Sequence, residues 1–217
     1  MCIRDRLVSH ADHDEETITI SPLVKEGWNL MGLSLYPRVV NDSIVSSGYD
    51  TIMLAALENR MWYYNDDGYA VADTFLIGEG YWLKMLDDAI LIQEGIPSME
   101  RIHILYNGWN LVSPLEKTIH PYTLLYSHPN ITSIWRWDAW NNQYKDVIFE
   151  QNYMNPGTGY WMKNVGTDTL FYDGFSADVP PSPPAKLTVQ QSQDQPPDPP
   201  VTVRWKTWAD VKREIKE

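Results

Sequence analysis

The chain has 217 residues, a formal net charge of −12 at pH 7 and 43% hydrophobic residues. A surface this acidic repels phosphate backbones, which argues against nucleic acid as a partner, and no apolar run approaches the roughly 20 residues needed to cross a bilayer as a helix. Ten Trp and thirteen Tyr stand beside only four Phe; Trp and Tyr carry a polar atom that suits them to half-exposed sheets and to binding faces alike.

Residues 1–16 are expected to lie outside the fold. Met1–Arg6, "MCIRDR", matches the translation of a transposon end used in sequencing-library preparation. This points to a metagenomic fragment whose native start has been replaced, and the segment is set aside as a fusion scar would be. Cys2 is the only cysteine, so the remainder has none to pair, and both oxidising and reducing compartments stay open. His10 and His13 in "SHADHDEE" have the donor types of a metal site. With no second ligand cluster, the segment reads as a solvated linker.

An internal repeat organises the next 160 or so residues. "EGWNLMGLSL" at 26–35 recurs as "NGWNLVSPL" at 107–115, "RMWYYNDD" at 60–67 answers "SIWRWDAW" at 133–140, and "GEGYWLKMLDDAILIQEG" at 78–95 answers "GTGYWMKNVGTDTLFYDG" at 157–174 without a gap. Three blocks in one order predict two copies of a single module, 17–95 and 96–178. The positions that recur are Gly27, Trp28, Asn29, Trp62, Gly80, Tyr81 and Trp82 in the first copy and Gly108, Trp109, Asn110, Trp135, Gly159, Tyr160 and Trp161 in the second.

Within each copy, Gly27 or Gly108 turns the chain into a strand. "TIMLAALENR" (51–60), behind the potential N-cap Asp50, and "YTLLYSH" (122–128) predict one short helix apiece. "MWYYNDDGYAVA" predicts a hairpin with Asn65-Asp66-Asp67-Gly68 as its turn. The glycine opening "GYWLK" and "GYWMK" predicts close backbone approach or a bend. About five short strands and one short helix per copy result, arranged as a sandwich or barrel. Strand alternation places Trp135 and Trp137 on one face and Ile134, Arg136 and Asp138 on the other. The repeated pair Trp62 and Tyr64 then marks a packing face. Trp140 and Tyr144 fall in a longer loop of the second copy with no evident first-copy partner.

Paired "GWNL" and "GYW(L/M)K" blocks around an "IWxWD"-type hairpin resemble the repeated modules near the C-terminal ends of large secreted or surface-attached bacterial proteins. The resemblance covers about 17–174. It implies an extracytoplasmic, modular, non-catalytic setting and transfers no binding residue.

From Val179 to Pro200 the chain is rich in proline, "PPSPP" and "PPDPP" flanking "AKLTVQQSQDQ", as in a semi-rigid spacer with extended polyproline character. Residues 201–217 predict a strand-like start and a short helix in which Trp208, Val211 and Ile215 share a face behind Thr207 as N-cap. Such a tail resembles terminal segments recognised by sorting or anchoring machinery.

The expectation is therefore a mainly β, duplicated module of the bacterial cell surface or secretome, serving a structural or interaction role, without cofactor or metal. Its partner would be a glycan or another protein domain. The rival reading is a carbohydrate-binding module in which Trp140, Tyr144, Trp137 and Tyr69 form a stacking face. Exposure separates the two: a glycan platform requires coplanar, solvent-facing rings, whereas a structural role requires most of them buried. Asn65, Asp66 and Asp67 lack the spacing of a twelve-residue calcium loop, and no Ser or Cys lies in a nucleophile motif.

Overall fold

The glycine that opens each "GWN" stretch has left-handed backbone geometry, φ 95° at Gly27 and φ 99° at Gly108, which a side-chain-bearing residue adopts only with strain. The asparagine two residues on ties off the turn. Asn29 Oδ1 accepts from the Lys25 amide at 2.9 Å and its Nδ2 donates to the carbonyls of Lys25 and Gly27 at 2.6 and 3.0 Å. Asn110 does the same with Tyr106 and Gly108 at 2.9, 2.9 and 3.1 Å. Each "GWN" is thus a closed turn that launches a strand.

These turns belong to a computed structural model that describes residues 17–37, 39–40, 43–44, 61–65, 67–72, 75–97, 102–171 and 197–199. The chain is mainly β. One antiparallel sheet contains Gly27–Gly32, Met61–Asn65, Gly68–Val71 and Gly80–Met85, with the last strand slotted between the first strand and the hairpin. A second sheet arranges Gly108–Val112, Ile131–Asp138, Gln143–Asp146 and Tyr160–Asn164 in the same order. The registers match as well. Leu30 and Trp62 flank Trp82 in the first sheet, and Leu111 and Trp135 flank Trp161 in the second. Short pairings at their edges also correspond: Val24 with Ala89 in one, Leu105 with Asp168 in the other. A three-stranded sheet of Ile18–Ile20, Gln93–Pro97 and Leu35–Pro37 completes the first unit.

The hairpins obey local turn chemistry. Asn65 pairs with Gly68, and its side chain accepts from the Asp67 amide at 3.0 Å. In the second sheet Asp138 pairs with Gln143 across a longer turn. There the Asp138 carboxylate accepts from the Trp140 amide at 3.1 Å and from Asn141 Nδ2 at 2.8 Å, and these bonds hold it below the usual carboxylate range against the opposing effect of partial burial. Asn142, at φ 49°, takes the left-handed position that asparagine tolerates.

Helix Pro121–Ser127 forms where expected, begun one residue earlier by Pro121 and capped by His120, whose Nδ1 accepts from the Tyr122 amide at 3.2 Å. A second short helix, Val147–Glu150, has no counterpart in the sequence reading. Asp146 creates it by accepting from the amides of Ile148 and Phe149, both at 3.0 Å. The helix expected over 51–60, residues 1–16, the tail 201–217 and most of the proline-rich spacer lie outside the described residues.

Three hydrophobic clusters follow from strand alternation. One belongs to the first unit, around Met31, Leu33, Tyr81 and Leu83. One belongs to the second, where Ile134 and Met162 pack against Leu124 and Val147 of the helices. The third lies between the two four-stranded sheets. No sheet among the described residues closes on itself, so the barrel alternative gives way to sheets layered face to face.

Candidate functional site

The inter-sheet cluster is built almost wholly from aromatic residues. Trp82, Trp135 and Trp161 are its buried centre, and Trp28, Trp62, Tyr64, Tyr69, Trp109, Trp137 and Tyr144 surround them. Every second residue of each strand faces this layer. The rings meet edge to face, the favourable arrangement for aromatic quadrupoles, and the contacts come in matched pairs. Trp28 lies 6.0 Å from Trp82, and Trp109 lies 6.1 Å from Trp161. Trp137 of the second unit reaches Trp82 at 5.3 Å, and Tyr64 of the first reaches Trp161 at 4.9 Å. Tyr69 and Tyr144 each stand 6.4 Å from the central tryptophan of the opposite sheet. Lys84 and Lys163 cover Trp28 and Trp109 at 5.8 and 5.6 Å.

Main-chain contacts cross the same junction reciprocally. Met31 bridges Thr158, as Val112 bridges Glu79. The Gly32 amide donates to Gly157 O at 3.0 Å, as the Ser113 amide donates to Gly78 O at 2.7 Å. A Cβ on Gly80 would lie 3.1 Å from Val112 O, and one on Gly159 would lie 2.6 Å from Met31 O. Both glycines therefore permit one unit's backbone to pass against the other's. A buried polar cluster completes the seam. Ser34 Oγ donates to Pro114 O at 2.7 Å and accepts from the Gly157 amide at 2.8 Å. Gln93 accepts from the Ser34 amide at 3.0 Å and donates to Gly32 O at 2.6 Å. These inward-facing polar groups are spent on backbone partners, as burial requires. Sequence reasoning missed them because Ser and Gln carry no periodic signal.

The four residues singled out as a stacking face separate into two environments. Trp140 is 68% exposed at the tip of the second hairpin, with Lys25 Nζ 3.8 Å from its ring centroid. Lys25 also pairs with Asp88 and, together with the Glu26 amide, holds that carboxyl below its usual range. Trp137, Tyr144 and Tyr69 are half-buried in the inter-sheet cluster. Trp137 Nε1 donates to Trp28 O at 2.8 Å. Tyr144 is not a loop residue: it lies in the strand Gln143–Asp146 opposite Trp137. Its first-unit counterpart is Tyr69, which sits opposite Tyr64. The longer second turn shifts the repeat offset between Trp137 and Tyr144, and so concealed the match.

Tyr69 and Tyr144 converge on one acceptor. Tyr69 Oη donates to Pro197 O at 3.3 Å, and Tyr144 Oη donates to the same carbonyl. Burial raises both phenols well above their ordinary range; the neighbouring Asp198 adds to the shift, so they remain protonated donors. The hydroxyl of Tyr69 is close enough to the indole N–H of Trp82, and that of Tyr144 to the indole N–H of Trp161, to temper these shifts. Neither indole reaches hydrogen-bond geometry, and both N–H groups are buried without a partner.

Elsewhere the second unit bears an open cleft of about 500 Å³ lined by Thr118, Arg136, Asn152, Tyr153, Asn155, Thr158 and Tyr160. Tyr160 accepts from the Asn155 amide at 2.7 Å and is pushed up to about 12 by burial; Arg136 leans toward Glu150 at 3.5 Å. At the junction His103 Nδ1 stands 3.8 Å from Glu79 Oε1. Burial drives the two toward neutrality, raising Glu79 to about 7 and lowering His103 to about 4, so the proximity is not an ion pair at neutral pH. Among the described residues no group of three or more His, Cys, Asp or Glu is placed to hold a metal, and no helix is long and apolar enough to cross a membrane. No protein family, curated protein or solved structure matches the chain.

Proposed function

We propose that this chain is a structural or interaction module of a bacterial cell-surface or secreted protein. In this reading it consists of two copies of one β-rich unit, 17–95 and 96–178, followed by a spacer at 179–200 and an anchoring tail at 201–217. The observation that carries the proposal is the fate of the aromatic residues. The repeated tryptophans and their neighbours meet edge to face between the sheets, at interplanar angles of 70° to 81°, and hold the two units together. A glycan platform needs coplanar rings open to solvent, and of the four residues considered only Trp140 is exposed. The matched registers and reciprocal contacts support a duplication, because equivalent residues on both sides repeat the same geometry.

Tryptophan fluorescence of the full chain, titrated with a panel of soluble polysaccharides, tests this reading. No saturable change with the wild type is the expected result. A saturable change that Trp140→Ala abolishes would replace the proposal with a carbohydrate-binding one.

A further inference from the structure

We propose that Tyr69 and Tyr144 form a polyproline docking site at the junction of the two units, and that its occupant is this chain's own segment around Pro197–Pro199. The donor arrangement suits such a ligand. A proline-rich segment offers a carbonyl acceptor at every residue but few amide N–H donors, and two phenolic hydroxyls, one from each unit, donate to the carbonyl of Pro197. The buried indole N–H groups of Trp82 and Trp161 lie beside those hydroxyls without partners of their own. The site is thus rich in donors and poor in acceptors, matching a segment that offers carbonyls but few amides.

The segment's exposure fits the same geometry. Pro197 and Pro199 are half-buried while Asp198 between them is exposed. A polyproline II helix has three residues per turn, so on a flat surface two of its three edges make contact and the third faces water. Aromatic-lined grooves recognise proline-rich segments in this way because the ligand is already extended and loses little entropy on docking. Tyr69 and Tyr144 come from different units, so the site exists only when both sheets are in place. Docking here holds Pro197–Pro199 at the seam, and a proline-rich segment of another chain would have to displace it.

The test uses the full chain carrying Pro197→Ala and Pro199→Ala, which weakens the internal occupant, titrated to millimolar concentration with a synthetic peptide of residues 194–202. Tryptophan fluorescence and calorimetry follow binding. The expected result is saturable binding to this variant, with wild type at least about tenfold weaker because its site is filled. Adding Tyr69→Phe and Tyr144→Phe should weaken the peptide by about tenfold or more, since two hydroxyl donors are lost while the ring packing is kept. Near-UV circular dichroism confirms that the phenylalanine variant retains its aromatic packing; if it does not, the single variants Tyr69→Phe and Tyr144→Phe replace it and should each weaken binding severalfold. Absence of binding to the proline-to-alanine variant overturns the proposal, as does equal binding with and without the hydroxyls. A peptide with alanine at every proline that binds as well would also overturn it.

Discussion

Gly32 and Ser113 face each other across the seam between the two units. They stand at matching places in the two four-stranded sheets, each following the buried pair Leu30-Met31 or Leu111-Val112, and a Cβ built on Gly32 would land on the Ser113 side chain. Two side chains cannot occupy this point, so the two strands must differ here. Gly32→Ala is expected to destabilise the chain by about 3 kcal/mol through overpacking. In a Ser113→Gly background the same substitution should cost about 1 kcal/mol, because the Ser113 atoms are gone and only Thr158 O, 3.2 Å from the Cβ position, stays close. Urea unfolding of the four proteins of this cycle measures the coupling; equal costs in both backgrounds would contradict the geometry.

The central and peripheral tryptophans should differ sharply in consequence. Trp161→Ala removes a fully buried ring touched by both sheets and is expected to cost about 3 to 5 kcal/mol. Trp82→Ala should cost about the same, as its contacts mirror those of Trp161. Trp140→Ala, which loses little more than an exposed contact with Lys25, should cost less than about 1 kcal/mol. Chemical denaturation followed by far-UV circular dichroism gives all three values.

The asparagine that closes each "GWN" turn offers a separate test. Asn110→Ala removes the partner of the Tyr106 amide and of the carbonyls of Tyr106, Gly108 and Met162 and should cost about 2 kcal/mol. Asn110→Asp should be worse at neutral pH, since a carboxylate would face the carbonyls of Tyr106 and Gly108 that now accept from Nδ2. Lowering the pH should relieve the aspartate variant alone, an effect visible as a rise in its Tm relative to the alanine variant.

The Glu79 and His103 pair should produce opposing pH dependences. Glu79 is raised to about 7 from an ordinary 4.5, so its contribution is full below 4.5 and is lost as pH rises through 7. His103 is lowered from 6.5 to about 4, so its contribution is full above 6.5 and is lost as pH falls toward 4. The wild type should therefore be nearly flat between these limits. Glu79→Gln should leave stability rising with pH up to 6.5, and His103→Gln should leave it falling as pH approaches 7. The second slope will be the shallower, because the Glu79 side chain is 35% exposed and water screens it. Thermal unfolding across this range distinguishes the three proteins.

Local features of the fold were legible because they rest on short-range chemistry. The Gly27 and Gly108 turns, the Asn65–Gly68 hairpin and the Pro121–Ser127 helix each announce themselves through residues that few other structures would accommodate. Alternation also placed Trp135 and Ile134 on opposite faces. The meeting of the two aromatic faces was less accessible, since a face marked for burial does not name what buries it. Tyr144 was misplaced for a related reason: the turn before it is longer than its counterpart, and a gap inside a repeat hides equivalence when residues are compared by offset. The junction of Ser34, Gln93 and Pro197 depends on residues far apart in the chain whose types are common on any surface.

The seam between the sheets has a bearing on each half taken alone. Either unit, cut free, would present Trp, Tyr and Leu to water over the face that its sibling now covers. That face is nearly self-complementary, because the sibling presents equivalent residues in the same register. A half-length chain is therefore expected to be a homodimer or an aggregate and not a stable monomer. By placing both halves in one polypeptide, the protein makes their association independent of concentration.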